Sequence, residues 1–131
     1  AAYIFTKNIF QNKTLDLFNF GRMERDFTFI DDIINGITPL IKIKKRKDNI
    51  HKIYNLGNNK PQKLLKMISL LEMLCQRKAK INKKRMQPGD VRHTYANIKE
   101  SKKDLRFKPK TNLKEGLEKF VAWYKNYHNI I

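Results

Sequence analysis

The sequence predicts an α/β fold, and three observations support this prediction. Two short apolar stretches, at residues 15–20 and 27–29, have the composition or the alternation typical of β-strands. Longer segments at residues 33–41, 64–75 and 113–127 carry apolar residues three and four positions apart, as amphipathic helices do. The chain has 131 residues with 40% hydrophobic content, which is enough for one domain with its own core.

A basic side chain stands in the loop between the first two predicted strands. Gly21 breaks the strand over residues 15–20, and Arg25 follows before the alternating Phe27 and Phe29. An arginine held in such a loop can fork onto a phosphate or a carboxylate through two parallel hydrogen bonds. A solvated arginine near a turn has the same local sequence, so the residues alone leave both interpretations open.

The first long helix is predicted directly behind this loop. Asp31 and Asp32 are residue types that cap helices, and apolar residues follow from Ile33 at helical spacing. Pro39 lies inside this pattern, so we expect a kink or an early end there. Residues 42–47 hold five basic residues, and we interpret them as a solvated loop rather than as a phosphate-binding segment.

The remaining elements are predicted from the same two periodicities. Residues 2–10 read as the end of a helix, residues 51–56 as a strand ending at a glycine, and residues 79–81 as a short strand. The clearest helix covers residues 62–77, and its apolar stripe is a core stripe that includes Cys75, which we expect to be buried and inert.

Two later helices begin with the signature of a capping box. Asn97 is followed three residues later by Glu100, and Asn112 by Glu115. We therefore predict a short helix after the first pair and the last helix after the second. The apolar face of the last helix comprises Leu113, Leu117, Phe120, Val121, Tyr124 and Tyr127.

The net charge of +17 raises a nucleic-acid-binding domain as a second class of function. Of the 29 basic residues 22 are lysines, and their runs lack the interleaved aromatics of a nucleic-acid surface. The chain is also rich in Ile and Asn, whose codons are AT-rich like those of Lys, so genome composition accounts for much of the charge. These features argue against a nucleic-acid partner.

Other patterns bear on the compartment and on bound groups. No apolar run approaches the roughly 20 residues of a membrane helix, and Cys75 is the single cysteine, so we expect a cytoplasmic protein without a membrane partner. The start at Ala1 indicates a cut or processed piece. The three histidines lack metal-ligand spacing, so no metal site is expected. The five glycines never come close enough together for a dinucleotide-binding turn.

Five motifs in order carry a resemblance to a known family. The first is Phe18-x-x-Gly21-x-x-x-Arg25-Asp-Phe-Thr-x-Ile-Asp-Asp, and the others lie at residues 54–58, 86–91, 107–116 and 120–124. Together they resemble the substrate-binding half of extended short-chain dehydrogenases/reductases. Within that family the sequence is most similar to nucleotide-sugar epimerases of the UDP-glucuronate 4-epimerase type.

The resemblance implies an incomplete extended Rossmann-type fold. Residues 1–131 would form a single C-terminal substrate-binding portion, made of the small mixed α/β substrate lobe plus a last strand of the parallel sheet at residues 51–56. The NAD-binding Rossmann portion would lie outside this chain, so NAD belongs to the complete enzyme and none is expected on this chain. Without that portion the helices at 33–41 and 64–75 would expose apolar faces, which favours self-association.

The resemblance also implies a binding site for the UDP part of a sugar nucleotide. Arg25 corresponds to the arginine that contacts the diphosphate, and Phe18 and Phe20 to the residues that hold the uracil ring. Asp90 would accept from a ribose hydroxyl, which suits a carboxylate. Gln87 stands in the same loop, where many relatives place an arginine against the phosphates.

The family's catalytic pair is a tyrosine followed four positions later by a lysine, which lowers the tyrosine pKa for proton removal. Tyr3 with Lys7 and Tyr95 with Lys99 match this spacing, but both lie after the segment where the pair belongs. We interpret both as coincidences in a lysine-rich chain. No catalytic residue is therefore assigned.

The leading hypothesis is the UDP-sugar-binding part of an NAD-dependent nucleotide-sugar epimerase for cell-surface polysaccharide precursors, inactive alone. Its partners would be a UDP-sugar and the N-terminal NAD-binding half. Two alternatives stay open from the sequence. One is the basic nucleic-acid-binding domain, and the other is the folded remnant of a decayed gene that binds no ligand.

Overall fold

The computed structural model describes residues 1–42 and 51–130. Apart from the helical backbone of Lys42, the basic run at residues 42–47 lies outside the described residues. The helices are α1 (Ala2–Phe10), α2 (Ile30–Lys42), α3 (Leu64–Cys75), α4 (Lys99–Leu105) and α5 (Leu113–Tyr127). The strands are β1 (Thr14–Leu17), β2 (Glu24–Arg25), β3 (Gln62–Lys63) and β4 (Lys80–Lys83). This mixed content confirms the predicted α/β class.

The described strands form two small sheets. β1 pairs with β4 in parallel, with Leu15 opposite Ile81. β2 pairs with β3 in antiparallel orientation, with Arg25 opposite Gln62. The short strand predicted at 79–81 is thus present as β4, about one residue later, and it is a sheet partner of β1.

The main core lies between three helices and β1. Helix α3 packs against α1 and α5, as its predicted apolar stripe requires. The main core cluster comprises Ile9, Leu15, Met67, Leu71, Cys75, Leu117 and Val121. Burial of such side chains stabilises a fold by about 1.5–3 kcal/mol each. Cys75 is buried as predicted, and its burial raises the pKa of the thiol.

A smaller core cluster lies between α4 and residues 51–58. It consists of Ile98, Leu105 and Phe107, with Tyr54 and Leu56 packed against it. Leu56 and Phe107 contact the helix α2 at Gly36, where a side chain would come within 2.8–3.0 Å of theirs. The absence of a side chain at Gly36 therefore lets α2 lie close to this cluster.

The two predicted capping boxes differ in outcome. The Asn112 side chain accepts a hydrogen bond from Glu115 N at 3.0 Å and caps α5, as predicted. Asn97 is not the cap of α4, because that helix begins at Lys99 after Ile98. Its side chain instead accepts from Lys99 N at 3.1 Å, across two residues rather than three.

The strand predicted at residues 15–20 is shorter than expected. β1 ends at Leu17, and a 3₁₀ turn covers Phe18–Gly21. Asn19 and Phe20 have φ angles of 49° and 54°, and these left-handed conformations cannot continue a strand. Gly21 follows with a φ of 80°, and a side chain there would come within 3 Å of leucine side chains.

The strand predicted at residues 27–29 is absent. Phe27 and Phe29 line one cavity together with Thr28 between them, and the chain there joins no strand. Backbone N–H groups from neighbouring segments instead donate to the side chains of Asp26 and Thr28. The Asp26 carboxylate accepts from Asn59 N at 2.9 Å and from Ala96 N at 3.1 Å, and Thr28 accepts from Asn58 N at 3.1 Å. Polar side chains thus replace the ladder that a strand would need.

The strand predicted at residues 51–56 is also absent from the structure. A strand needs a neighbour for its backbone groups, and no described strand lies beside this segment. Its contacts are made by side chains and single backbone groups: Tyr54 donates to Asp104 at 3.0 Å, and the Asn55 carbonyl accepts from the Ser101 hydroxyl.

Asp31 and Asp32 are not the caps of α2, because the helix already begins at Ile30. Both aspartates lie in its first turn, where negative charge is favourable. Asp32 is buried and accepts from Lys110 N and Thr111 N, each at 3.0 Å. It therefore ties α2 to the segment that leads into α5. Of the kink or early end expected at Pro39, the early end is absent, because α2 continues to Lys42.

Helix α2 leaves a row of isoleucines exposed. Ile34 is 52% exposed and Ile41 is 81% exposed, and Ile30 and Ile37 extend the same row. On α3 the exposure is limited to residues such as Leu65 and Met73, because Ile68 and Leu71 are buried. In the described part of the chain, no helix combines the length and apolar character needed to cross a membrane.

Candidate functional site

One cleft brings together three of the predicted site residues. Phe18, Arg25 and Asp90 all line a cleft of about 360 Å³ beside β1 and α1. Arg25 and Asp90 are separated by 65 positions in the sequence, and their side chains meet at 2.8 Å. We call this site the Arg25 cleft.

The guanidinium of Arg25 is held from two sides. One terminal nitrogen donates to the Glu24 carbonyl at 2.9 Å, and the other donates to Asp90 Oδ1 at 2.8 Å. The side chains of Arg25 and Asp90 are only 24% and 31% exposed. Because arginine has five N–H donors, three remain for a ligand. The two contacts thus orient the guanidinium and leave N–H donors for a ligand.

Asp90 is positioned by its own loop. Asp90 N donates to the Gln87 carbonyl at 3.3 Å, which closes a turn around Gly89, whose φ is 80°. Val91 N donates to the same Oδ1 atom that accepts from Arg25. Because the bonds from Arg25 and Val91 both fall on Oδ1, Oδ2 keeps acceptor capacity for a hydroxyl.

The other two predicted site residues lie outside the lining of this cleft. Gln87 is exposed at the start of the Asp90 turn. Phe20 is 48% exposed, and its N–H donates to the Lys84 carbonyl at 3.1 Å. A bulky residue held in the left-handed region is an outlier of the kind that concentrates at functional sites. Phe20 therefore stays a candidate, although it lies outside the lining of the cleft.

Two charged residues of the Arg25 cleft region were not predicted from the sequence. Asp16 lines the cleft, and Lys84 lies 2.7 Å from its carboxylate. This hydrogen bond from Lys84 lowers the pKa of Asp16. The two-residue spacing of Asp16 and Phe18 was a usable signal, since both line the cleft although β1 ends between them at Leu17. The pairing of β1 with β4 was not visible in the sequence.

A second cavity, of about 240 Å³, lies between α5 and residues 27–30. Its lining is mainly apolar and includes Phe27, Phe29, Leu117 and Phe120, with no charged side chain. A diphosphate requires a cation or several N–H donors. The Arg25 cleft is therefore the better candidate for an anionic ligand.

The two tyrosine–lysine spacings do not form a catalytic arrangement with this cleft. Tyr3 packs edge-on against Tyr124, with ring centroids 5.5 Å apart, and Tyr95 lines a different, open pocket near Asp26. Among residues 1–42 and 51–130, no three His, Cys, Asp or Glu side chains come together as a metal site would require.

The glycines of the chain do not fit an NAD pyrophosphate. Gly36 and Gly116 lie inside helices α2 and α5, where Gly116 contacts Phe29. Gly57 packs against Ala96, and Gly89 lies in the exposed turn before Asp90. A pyrophosphate cradle needs glycines between a strand and a helix start. The described residues contain no such turn.

Comparisons with known proteins agree with the motifs. Residues 4–120 match the family described as GDP-mannose 4,6 dehydratase. An uncharacterised protein of Methanocaldococcus jannaschii is 45% identical over 124 residues, which are 95% of this chain and 37% of that protein. UDP-glucuronate 4-epimerase 3 of Arabidopsis thaliana is 37% identical over 142 residues, covering 98% of this chain and 33% of the relative.

A solved structure gives the same result in three dimensions. UDP-glucuronic acid 4-epimerase of Bacillus cereus, in complex with UDP-glucuronic acid and NAD, matches with a TM-score of 0.86 and 31% identity. The match covers 97% of this chain and 40% of that chain. The chain thus spans well under half the length of the relatives it matches, and its fold is a partial extended Rossmann-type fold.

Proposed function

This chain belongs to the NAD-dependent epimerase/dehydratase group of the short-chain dehydrogenase/reductase family, close to the UDP-glucuronate 4-epimerases, and we propose that its Arg25 cleft binds the UDP part of a UDP-sugar. The meeting of Phe18, Arg25 and Asp90 in one cleft is the observation that supports this proposal most. These residues supply an aromatic ring, a guanidinium fork and a carboxylate, which suit a base, a diphosphate and a ribose.

Each group has a distinct role in the proposed complex. The three remaining N–H donors of Arg25 bind diphosphate oxygens, and Asp90 Oδ2 accepts from a ribose hydroxyl. The contact between Arg25 and Asp90 orients both side chains before the ligand arrives, which reduces the entropy lost on binding. Phe18 and Phe20 hold the base.

In the family reaction NAD oxidises the sugar at C4 and returns hydride to the other face. Because the glycines of this chain do not fit NAD, we assign no step of that chemistry to it. We propose that the chain supplies the UDP-sugar site of a complete enzyme, and that a separate NAD-binding portion supplies the catalytic tyrosine. The exposed isoleucine row of α2 supports the need for such a portion, which would cover it.

Calorimetric titration with UDP tests the proposed site. Arg25→Ala should weaken UDP binding by roughly 2–3 kcal/mol, the range for hydrogen bonds to charged groups. Arg25→Lys should recover only part of this loss, because lysine has no fork. Arg22→Ala is the matched control, since Arg22 is exposed and lies outside the Arg25 cleft.

Equal affinity of the wild type and Arg25→Ala for UDP would end the proposal. A wild type that folds but binds no UDP would favour the remnant hypothesis.

An activity assay tests the proposed division of labour. The lone chain should not interconvert the C4 epimers of UDP-glucuronate or UDP-galactose, even with saturating NAD, and it should bind no NAD in a titration. Co-expression with a matching NAD-binding half should give activity. Turnover by the lone chain that is lost in Tyr3→Phe or Tyr95→Phe would show that one of these tyrosines is catalytic and that the proposal is wrong.

A further inference from the structure

A charged pair on the β1–β4 sheet lies beside the ring of Phe18, which follows β1 in the 3₁₀ turn. The Asp16 carboxylate accepts from Lys84 Nζ at 2.7 Å and from Asn82 Nδ2 at 3.0 Å, one bond on each oxygen. Lys84 Nζ also lies 5.9 Å from the centroid of the Phe18 ring. An acceptor, a donor and an aromatic ring therefore lie close together: Asp16 and Phe18 line the Arg25 cleft, and Lys84 contacts both from just outside its lining.

The backbone around Lys84 fixes this arrangement. Lys84 N donates to the Leu17 carbonyl at 3.0 Å, and the Lys84 carbonyl accepts from Phe20 N at 3.1 Å. These two bonds continue the pairing of β4 beyond its last residue and fasten it to the left-handed turn after β1. The Cα atom of Lys84 is thereby held beside the aromatic residues assigned to the base.

The charged pair has unused hydrogen-bonding capacity. A carboxylate offers about four lone-pair sites and an ammonium offers three N–H donors. Asp16 accepts the bonds from Lys84 and Asn82, and Lys84 donates one bond to it through Nζ. Acceptor capacity thus lies directly beside donor capacity, as a ring edge with an N–H next to a carbonyl would require.

We propose that Asp16 and Lys84 read the base of the bound nucleotide. Asp16 accepts from the uracil ring N–H, and Lys84 donates to an adjacent ring carbonyl while Phe18 contacts the ring face. This inference rests on the proposed function, because it adds specificity residues to the Arg25 cleft. It also separates two cations by role, since Lys84 acts at the base and Arg25 at the diphosphate.

Ligands that contain only part of UDP distinguish the proposed role of Lys84 at the base from that of Arg25 at the diphosphate. Lys84→Met should weaken binding of UDP and of uridine alike, by about tenfold, and leave binding of inorganic diphosphate unchanged. Arg25→Ala should weaken binding of UDP and of diphosphate strongly, and binding of uridine only to the extent that Asp90 is no longer oriented toward the ribose. Lys83→Met is the matched control, because successive side chains on a strand point to opposite faces. Titration calorimetry measures UDP, and NMR titration measures the weaker ligands.

A modified base tests Asp16 directly. N3-methyl-UDP lacks the ring N–H, so the wild type should bind it about tenfold more weakly than UDP. Asp16→Ala should lose most of this preference, provided that circular dichroism shows the variant to be folded. A retained preference in a folded Asp16→Ala would mean that other groups read the base, and the assignment of Asp16 would fail.

The outcomes distinguish this inference from the proposed function. If the wild type binds UDP and Lys84→Met binds it as well as Lys83→Met does, the base-reading role is wrong and the UDP site stands. If Lys84→Met weakens inorganic diphosphate, Lys84 is a phosphate ligand and the inference is overturned. If a folded wild type binds neither UDP nor uridine, both proposals fail together.

Discussion

The main core cluster and the smaller cluster under α2 differ in how completely they are covered. Around the main cluster α1, α3 and α5 enclose seven buried residues, of which Met67 and Leu71 have no exposed surface. Beside the smaller cluster, α2 contacts Leu56 and Phe107 through Gly36 and turns Ile34 and Ile41 outward. The side chains of the main cluster are thus buried within the chain, whereas the isoleucine face of α2 is exposed.

The isoleucine row shows what kind of helix α2 is. Residues 30, 34, 37 and 41 follow the spacing of one helix face, and the buried Asp32 and Gly36 lie between them. An amphipathic helix normally packs its apolar face against another element. The apolar face of α2 is instead exposed, which agrees with a chain that matches 40% of the length of a UDP-glucuronic acid 4-epimerase.

The largest expected effect contrasts one truncation in each region. Leu71→Ala in the main cluster should lower the free energy of unfolding by about 2–5 kcal/mol, because it removes buried methyl groups and leaves a cavity. Ile34→Ala on α2 should change it by about 0.5 kcal/mol or less, because the side chain is already half in water.

Urea unfolding followed by circular dichroism measures both variants. Leu117→Ala serves as a second test of the main cluster, and Ile37→Ala as a second test of the row. At a protein concentration low enough to keep the chain monomeric, a loss for Ile34→Ala as large as that for Leu71→Ala would show that this face of α2 is buried within the chain itself. The comparison between the two regions would then be wrong.

The next effect concerns association through the isoleucine row. We propose that the lone chain self-associates through this face, since exposed apolar patches of this kind mark interaction surfaces. Ile34→Glu with Ile41→Glu should weaken self-association by at least about tenfold, because two charges would have to be desolvated. Sedimentation equilibrium over a range of protein concentrations measures it.

The matched control for the self-association test changes exposed side chains on helix α5, outside the isoleucine row. Trp123→Glu with Tyr127→Glu changes two exposed aromatic side chains on α5, at the far side of the main cluster. This variant should leave self-association unchanged. If it dissociates the chain and the α2 variant does not, the aromatic surface of α5 is the contact and the row is not.

A smaller effect separates the two predicted helix caps. Asn112→Ala should lower stability by about 1 kcal/mol, because it removes the bond to Glu115 N at the start of the 15-residue helix α5. Asn97→Ala should have a smaller effect, since Asn97 lies before the cap of the seven-residue α4. Thermal unfolding of both variants checks the order, and a larger loss for Asn97→Ala would reverse it.

The sequence predicted the helices well because their periodicity records the burial of one face. The core stripe of α3 and the Asn112 cap of α5 are both present. The strand predicted from the alternation of Phe27 and Phe29 was wrong: Thr28 lines the same cavity as both phenylalanines, and no described strand pairs with this segment. A short alternation says nothing about the neighbouring strand that a ladder needs.

The same distinction applies to the candidate site. Arg25, Phe18 and Asp90 were predicted as separate positions from motifs, and the structure brings these three into one cleft. Asp16 and Lys84 belong to no such motif. Their contact depends on the register of β1 against β4 across 68 positions, and this register is a property of the folded chain.

The smallest expected effect is a pH dependence in the region of α2 and α4. Lys52 and Tyr54, from the segment before α3, both donate to Asp104 on α4. The hydrogen bond from Lys52, followed by that from Tyr54, lowers the pKa of Asp104, and the same bond raises the pKa of Lys52. These bonds connect the segment at residues 51–56 to α4 without the strand that was predicted there.

The sign of the pH effect follows from these directions. A carboxylate whose pKa is lower in the folded chain stabilises the fold above its unfolded pKa of about 3.9, and this stabilisation is lost as the pH falls through the lower, folded value. The lysine contribution is present below its unfolded pKa of about 10.4 and is lost as the pH rises through the raised value.

The stability difference between wild type and Asp104→Asn should therefore be constant between about pH 5 and 9 and shrink toward pH 2. Urea midpoints at several pH values measure it, with Tyr54→Phe expected to retain most of the lysine effect. Because the Lys52 side chain is 38% exposed, 1 M salt should reduce the difference further. A difference that is unchanged by both acid and salt would mean that Asp104 acts through packing, and the small cluster would then be held by its apolar contacts alone.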